Sequence, residues 1–371
     1  MITPWDDYPV HQTAMPIATP ASGDPNHYDR YFFNGFDPDG EFYFGVALGI
    51  YPNRRVIDGA FSVVRDGVQR SVFASGRLPL DRPSKIGPIS VEVVQPLGSS
   101  HVRVEAAHLG VTADLLWHPR TAAIEEPSQV LMEGPRTVMD VTRLVQFGSW
   151  AGTIDVDGAR IDIDQSSRGM KDRSWGIRPV GEPVPGLNAL VGGGVFYLWS
   201  VLHFEDRCTH AMLFEFPDGH RWYTNADSVP ILKPGDPLWG PDVHVKHAES
   251  TAYDIGFEPG TRRISRARFT QTYFGAPADE IVLEPIMSFP LKGLGYLNPN
   301  WLHGYDRGEY AEGSDTWKVD ELDALDPTTF HIEQLVRVRC GDEVGIGCLE
   351  QLVLGPHAPT GFEGYTDGAR G

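Results

Sequence analysis

One short stretch of the sequence combines the residue types that acid–base chemistry needs. Residues 168–178 read RGMKDRSWGIR and hold four cations and one carboxylate around a Trp-Gly pair. The whole chain is acidic, with a formal net charge of −19, so this stretch is a local concentration of positive charge. It is either a solvated segment, with its carboxylate in a weak surface ion pair, or one wall of an active site.

Asp172 is the candidate proton carrier of this stretch. If the stretch is an extended strand, Asp172 and Ser174 share one face, while Arg173 and Trp175 share the other. A carboxyl group in an apolar site has a raised pKa and can donate a proton, whereas a facing arginine keeps it ionised. Asp172 is therefore an acid if Arg173 and Arg178 point away, and a base or a structural ion pair if they point in. The Trp-Gly pair predicts a buried indole beside a tight backbone position.

A second set of candidates lies in the strand-like segment FYLWSVLHF, residues 196–204. Strand alternation places Tyr197, Trp199 and His203 on one face, where they would form an apolar wall with three polar tips. Both faces are largely apolar, so we expect the strand to be covered on both sides. The face of Trp199 could stabilise a passing cation. For His203, a hydrogen-bonded core histidine is an equally weighted alternative.

A glycine-rich loop and a late strand supply the remaining candidates. Trp301 and His303 lie in the segment GYLNPNWLHGYDRGEY, where aromatic and titratable residues suggest function, although a packed loop plug is the alternative. Glu350 lies between apolar neighbours in CLEQLVL and either faces inward or lies on a solvated face. The complete set is Asp172, Arg173, His203 and Tyr197 as catalytic residues, and Trp175, Arg178, Trp199, Trp301, His303 and Glu350 as substrate-binding residues.

Tight turns between alternating segments predict the elements that must position these residues. Asp-Gly pairs at 39–40, 66–67, 157–158 and 218–219, and the Gly-Asp pair at 341–342, separate runs of alternating polarity. Helix signals are scarce, and only residues 140–147 and 318–325 could form one or two helical turns. We therefore predict an all-β protein of antiparallel sandwiches or barrels with few short helices.

The length of the chain predicts two domains. At 371 residues it exceeds the size at which a single core usually stops growing. Residues 178–194 are rich in Pro and Gly, as is typical of an extended linker. We place the boundary there, with one β domain over residues 1–180 and a second over residues 181–371. Clefts between domains are preferred ligand sites, and the charged stretch lies just before this linker.

Composition excludes several classes of function. The acidic charge disfavours nucleic acid and anionic membranes as partners. Three cysteines without zinc spacing and the lack of a signal peptide predict a reduced, cytoplasmic protein. The apolar run at 187–204 contains three consecutive glycines, so we predict a turn and a strand there rather than a membrane helix. The motifs of phosphate loops, dinucleotide sites and nucleophile elbows are absent, so we predict neither a cofactor nor a metal site. The protein forming a homodimer is compatible with the sequence.

The segment from Lys171 to Gly176 resembles the Asp-His-x-Trp-Gly signature of the carotenoid hydratase (hydroxyneurosporene synthase) and AttH-like superfamily. Arg173 stands where those proteins often have His, so a proton-carrying role of that His would not transfer here. Residues 295–310 and 345–355 also resemble second-domain segments of a bacterial branch of the group. The resemblance covers about the last two-thirds of the chain. It implies two lipocalin-like β-barrel domains, a hydrophobic pocket, and redox-neutral chemistry on apolar substrates without organic cofactors.

The residues and the resemblance together predict a cofactor-independent lyase or isomerase. It would hydrate, dehydrate or cyclise an isoprenoid- or steroid-like small molecule by acid–base chemistry. The main alternative is a non-catalytic lipid carrier of the lipocalin type, which predicts an apolar lumen with Asp172 and His203 in salt bridges or at the surface. A purely interacting β protein predicts no pocket in the ligand range of about 300–1,000 Å³.

Overall fold

The computed structural model describes residues 1–184 and 193–370, and regular structure in these ranges is β apart from short 3-10 turns. Twenty-three strands form two antiparallel sheets. The first sheet has fourteen strands: β1 (His27–Phe36), β2 (Phe42–Tyr51), β3 (Val56–Arg65), β4 (Val68–Arg77), β5 (Lys85–Ile86), β6 (Ile89–Val93), β7 (Ser100–Ala106), β8 (Val111–Pro119), β9 (Ile124–Glu125), β10 (Gln129–Glu133), β11 (Arg136–Val156), β12 (Ala159–Ile163), β13 (Arg168–Ile177) and β21 (Tyr310–Lys318). The second has nine: β14 (Val195–His203), β15 (Arg207–Glu215), β16 (Arg221–Pro230), β17 (Lys246–His247), β18 (Ser250–Phe257), β19 (Ile264–Tyr273), β20 (Ala276–Pro290), β22 (His331–Cys340) and β23 (Glu343–Leu354).

Helical structure in the described residues is limited to single 3-10 turns: Pro4–Asp7, Pro52–Arg54, Ala107–Leu109, Leu291–Leu294, Val319–Glu321, Pro327–Thr329 and Ala358–Thr360. The all-β prediction is therefore confirmed. The helical turn expected within residues 318–325 is present, but residues 140–147 belong to strand β11. The odd-numbered side chains from Val141 to Phe147 are buried, whereas Asp140 is exposed and Thr142 and Leu144 are half-buried. No helix in the described ranges is long and apolar enough to cross a membrane.

The five predicted turns all join paired strands. Residues 66–67 connect β3 to β4, and residues 157–158 connect β11 to β12. In both pairs the two central residues have positive φ, with Asp66 at 51° and Gly67 at 73° in the first. This backbone matches the twist of a two-residue hairpin, which explains the Asp-Gly sequence. The turns at 39–40, 218–219 and 341–342 likewise lie between β1 and β2, β15 and β16, and β22 and β23.

Each sheet folds on its own core, and a third core lies between them. Trp117 and Trp150 belong to the first sheet's own cluster, while Phe196 and Leu198 belong to that of the second. The third cluster combines side chains of both sheets, including Phe32 and Trp199. We call this inter-sheet layer the seam. Because β21 pairs with β4, residues 310–318 extend the first sheet although they lie late in the chain. The domain boundary at residue 180 stays a prediction, and residues 185–192 of the expected linker lie outside the described ranges.

A buried polar network crosses the seam. Glu333 on β22 accepts hydrogen bonds from Tyr43 Oη (2.8 Å) and Asn34 Nδ2 (3.0 Å), which belong to the first sheet. Glu333 is fully buried, and burial raises its pKa to about 8, with the neighbouring Glu350 adding to the rise. The folded protein therefore holds a proton here that the unfolded chain releases at lower pH.

This network predicts a pH-dependent stability. Between the ordinary glutamate pKa of 4.5 and about 8, only the folded state keeps the Glu333 proton, so the free energy of unfolding falls as pH rises. The slope reaches at most about 1.4 kcal/mol per pH unit. Urea unfolding between pH 5 and pH 8 should show that Glu333→Gln makes this slope smaller, while the exposed control Glu280→Gln keeps it. Asp58 and Asp172, whose pKa values are also raised, account for a remaining slope of the same sign. An unchanged slope in Glu333→Gln would contradict the assignment.

Candidate active site

A cavity of about 450 Å³ opens at the seam, within the range of small-molecule sites. Strands β1, β11 and β13 line one side, and β14, β22 and β23 line the other. Residues 296–305, which follow a 3-10 turn, contribute a third wall. Most of the lining is apolar, but the floor carries carboxyl, guanidinium and imidazole groups. The cavity is thus formed by elements from both halves of the chain.

Asp172 lies in this cavity at the middle of β13. Its neighbours across the sheet are Phe32 on β1 and Val145 on β11, so apolar side chains flank the carboxyl group in register. Burial raises its pKa, although Arg143, Arg178 and Arg30 oppose the rise. One carboxyl oxygen, Oδ1, is buried with no hydrogen-bond partner among the described residues. The burial of this oxygen is therefore not offset by a hydrogen bond from the described residues.

Two arginines flank Asp172 in the adjoining cross-strand row. Arg30 on β1 and Arg143 on β11 are the register partners of Ser174, so they face the same side of the sheet as Asp172. Arg143 Nη1 lies 3.5 Å from Asp172 Oδ2, and its guanidinium lies 5.3 Å from the centre of the Trp199 ring. Among the described residues, the ion pair of this carboxyl group therefore involves Oδ2 and not Oδ1.

His303 is held as a neutral imidazole by two partners of fixed polarity. Arg30 Nη1 can only donate, and it lies 2.8 Å from His303 Nδ1. The Leu294 carbonyl oxygen can only accept, and it lies 2.6 Å from Nε2. The shorter Leu294 contact favours a proton on Nε2, while Arg30 Nη2 also lies 3.0 Å from that nitrogen. Burial, together with the charges of Arg30 and Arg178, holds the pKa of His303 well below its usual range.

Arg178 lies just past the end of β13 and lines the cavity. Its guanidinium stacks over the Tyr28 ring at 4.6 Å from the ring centre. Its Nε is buried without a hydrogen-bond partner in the described part of the chain. The sequence-based choice of Arg178 as a cavity residue therefore agrees with its position.

The opposite wall carries a carboxylate–imidazole pair. Glu350 on β23 and His331 on β22 line the cavity, and His331 Nε2 lies 2.6 Å from Glu350 Oε1. Glu350 is the register partner of Trp199, and Tyr197 lies on the same face of β14. Burial raises the pKa of Tyr197 well above its usual range, so its hydroxyl keeps its proton. The two walls thus present separate acidic and basic groups to one space.

Two residues of the charged stretch lie on the other face of β13. Arg173 forms an ion pair with Asp29 at 2.8 Å and stacks over Tyr31, outside the cavity lining. Trp175 is 39% exposed, so the expectation of a buried indole is wrong. The reason is strand alternation: odd-numbered side chains here point away from the seam, and Trp175 lies near the open end of the strand.

Two other candidates also lie outside the cavity lining. His203 shares the face of Tyr197 and Trp199 as expected, but it is packed edge-on against Phe36 and Phe147 beyond the cavity. Its Nδ1 lies 3.0 Å from Arg120, and burial with nearby cations lowers its pKa well below the usual range. Trp301 stacks on Phe73 of the first sheet, with ring centres 5.3 Å apart. This packing corresponds to the alternative in which Trp301 belongs to a packed loop and does not bind substrate.

The structure adds cavity residues that the sequence interpretation missed: Arg30, Arg143, Tyr296 and His331. Arg143 lay in a segment assigned to a helical turn, and Arg30 could be found only from its register with β13. His331 opens β22 beside Tyr296, whose ring centre is 4.6 Å away. Alternation within β11 was the one available signal, since it places Arg143 with Val145 and Phe147. In the described ranges no three His, Cys, Asp or Glu side chains are grouped to hold a metal ion.

The fold and the site define a class of protein: two curled, antiparallel, lipocalin-like sheets with titratable groups at their seam. A family profile matches residues 2–363. The chain therefore belongs to that family, which is described as a family of unknown function (DUF8625). None of the curated protein sequences matches this chain significantly.

Solved structures share the fold at low sequence identity. A provisionally assigned AttH protein from Nitrosomonas europaea has a TM-score of 0.55 and 14% identity, over 93% of this chain and 98% of that chain. Kievitone hydratase from Nectria haematococca has a TM-score of 0.50 and 12% identity, over 87% and 88% of the two chains. CghA has a TM-score of 0.50 and 10% identity, over 89% of each chain. At these identities the likeness shows the fold alone, and it confirms the double lipocalin-like architecture.

The contact between Arg30 and His303 yields a prediction. Arg30→Met removes a cation beside the imidazole, so the pKa of His303 should rise. Imidazole nitrogen NMR shifts, followed as a function of pH, measure this directly. Arg70→Met, which removes a surface cation paired with Asp157, should leave His303 unchanged. An unchanged His303 titration in Arg30→Met would show that burial alone keeps this imidazole neutral.

Proposed function

We propose that this protein is a cofactor-independent acid–base enzyme that adds water to, removes water from, isomerises or cyclises a largely apolar small molecule. One observation carries the proposal: the buried Asp172 carboxyl group faces a ligand-sized cavity with one oxygen unbonded in the described structure. A group with a raised pKa in such a position can give a proton to a substrate. An isoprenoid- or steroid-like skeleton would suit the apolar lining.

In the hydration direction, Asp172 would transfer its proton to one carbon of an alkene. A C–H bond forms there, and positive charge develops on the neighbouring carbon. The faces of Trp199, Tyr296 and Phe32 line the same cavity and would stabilise that charge. Dehydration is the reverse, with Asp172 protonating the leaving hydroxyl group.

The Glu350–His331 pair would serve the opposite wall as the base. His331 lies within hydrogen-bonding distance of Glu350, so a proton taken from an attacking water could be shared between them. The Tyr197 hydroxyl keeps its proton and could donate a hydrogen bond to the same water or to a substrate oxygen. Addition of water then leaves Asp172 ionised and the pair protonated, and exchange with solvent restores both.

Two further observations bear on the proposal. Kievitone hydratase, a protein of similar fold, is a hydratase by name, which makes hydration the first reaction to test. The rival carrier function draws support from the 3.5 Å contact of Asp172 with Arg143, because an ion-paired carboxylate would not supply a proton. We favour catalysis because burial outweighs the arginines and raises the pKa of Asp172.

Replacement of the acid tests the proposal. Asp172→Asn should lower kcat for a hydrated or dehydrated substrate by about a hundredfold to ten-thousandfold. The assay uses isoprenoid and steroid alkenes and tertiary alcohols in heavy-oxygen water, with mass spectrometry of the products. Asp29→Asn, which alters a carboxylate on the opposite face of the sheet, is the matched control and should retain turnover. Full turnover by Asp172→Asn would eliminate Asp172 as the acid.

The same role predicts a pH dependence. Since Asp172 must be protonated to act as the acid, kcat should fall as pH rises through its elevated pKa. Glu350→Gln removes the base and should lower kcat by about a hundredfold. Because the Glu350 charge adds to the raised pKa of Asp172, the alkaline limb should also move to lower pH in this variant. Retention of a lipid without turnover by either the wild type or the variants would favour the carrier.

A further inference from the structure

We infer that the ligand of the seam cavity carries an anionic oxygen group, such as a carboxylate, enolate or phosphate, at the end that faces Arg30 and Arg178. The inference rests on the proposed function in that it assumes the same cavity is the substrate site. It adds a chemical class to that substrate: an amphiphile with one acidic head on an apolar skeleton.

The arginines of the cavity have few carboxylate partners. Among the described residues, neither Arg30 nor Arg178 has a carboxylate oxygen within 4.0 Å. Arg143 has one ion pair, with Asp172 at 3.5 Å. The Nε atoms of all three are buried without a hydrogen-bond partner in this part of the chain. Each of the three guanidinium groups therefore carries a buried donor that the described residues leave unsatisfied.

Comparison with another buried arginine shows how unusual this is. Arg262, only 1% exposed, forms an ion pair with Asp367 at 2.6 Å and donates to the carbonyl oxygens of Val353, Gly355 and Gly364. A buried guanidinium without such compensation costs free energy, because its desolvation is not offset. An anionic ligand would supply the missing partner.

The carboxyl groups around the cavity do not remove the excess of positive charge. Glu182 and Glu215 line it but are paired with Arg54 and Arg221. Asp58 lies near Arg30 outside this lining, bonded to Tyr51 and to the Gly304 amide, and burial raises its pKa to about 6. The guanidinium groups of Arg30, Arg143 and Arg178 therefore outnumber the cavity's own carboxyl groups, Asp172 and Glu350.

The geometry favours a planar or tetrahedral oxyanion over a diffuse charge. Arg30 stacks over the Tyr296 ring at 4.7 Å, and Arg178 stacks over Tyr28 at 4.6 Å. These contacts fix the guanidinium planes. Both Nη atoms of Arg30 already point at His303, so Arg178 supplies the forked donors for an oxyanion. The apolar remainder of the cavity, with Phe214 and Leu352, would hold the skeleton.

The test is calorimetric titration of the purified full chain with three amphiphiles of equal chain length: dodecanoate, dodecyl phosphate and dodecan-1-ol, each below its micellar concentration. At least one anion should bind roughly tenfold to a hundredfold tighter than the alcohol. The tighter of the two anions identifies the head group. Arg178→Gln should remove most of this preference, whereas Arg173→Gln, the same charge change on the opposite face of the strand region, should keep it.

Equal affinities for all three amphiphiles would overturn the inference, as would a preference that survives in Arg178→Gln. If Arg178→Gln is poorly folded, Arg178→Lys keeps the charge and should keep the preference in part, while losing the forked geometry. The outcome is separable from that for the proposed function. An anion preference together with full turnover in Asp172→Asn would support the anionic ligand and rule out Asp172 as the acid. Hydration that depends on Asp172 but shows no anion preference would support the acid and rule out the anionic ligand.

Discussion

The cost of placing charged side chains between two apolar sheet faces is the constraint on which this structure depends. The seam brings together Phe32, Val145 and Trp199 with Asp172 and Glu333, so each polar group there must find a partner or change its protonation state. The molecule uses both solutions. Glu333 is bonded by Tyr43 and Asn34, whereas Asp172 keeps an oxygen without a partner at the cavity. Several incompletely paired groups, among them Asp172 and Arg143, belong to residues that line the cavity.

The register of the strands decides which of these charged side chains lie next to one another in the site. The rows Arg30–Ser174–Arg143 and Phe32–Asp172–Val145 follow one another across β1, β13 and β11. On the facing wall the row Trp199–Glu350–Glu333 runs across β14, β23 and β22. Because each sheet also buries its other face on its own core, a slip of one residue in any of these strands would exchange the two faces. The positions of the acid and its flanking cations are therefore fixed by the same pairing that builds the sheets.

The sequence was sufficient for what depends on local pattern. Four Asp-Gly turns and one Gly-Asp turn predicted five hairpins, and alternation correctly grouped Asp172 with Ser174 and Tyr197 with Trp199. The sequence was insufficient wherever the pairing of distant strands determines which side chains are neighbours. Arg30 meets Asp172 only through the pairing of β1 with β13, strands more than a hundred residues apart. His203 shares the predicted stripe, but the cavity ends before reaching it, and no local pattern encodes where a cavity ends. Trp175 is exposed because the strand reaches solvent at that end.

The central claim is that Asp172 holds its proton to a higher pH than an ordinary aspartate. Infrared difference spectroscopy between the wild type and Asp172→Asn, recorded as a function of pH, isolates the carbonyl band of this one protonated carboxyl group. The account predicts that the band persists well above the ordinary aspartate pKa of 3.8. A band that vanishes at or below that value would show that the arginines keep Asp172 ionised, and the acid–base function proposed for this cavity would fail.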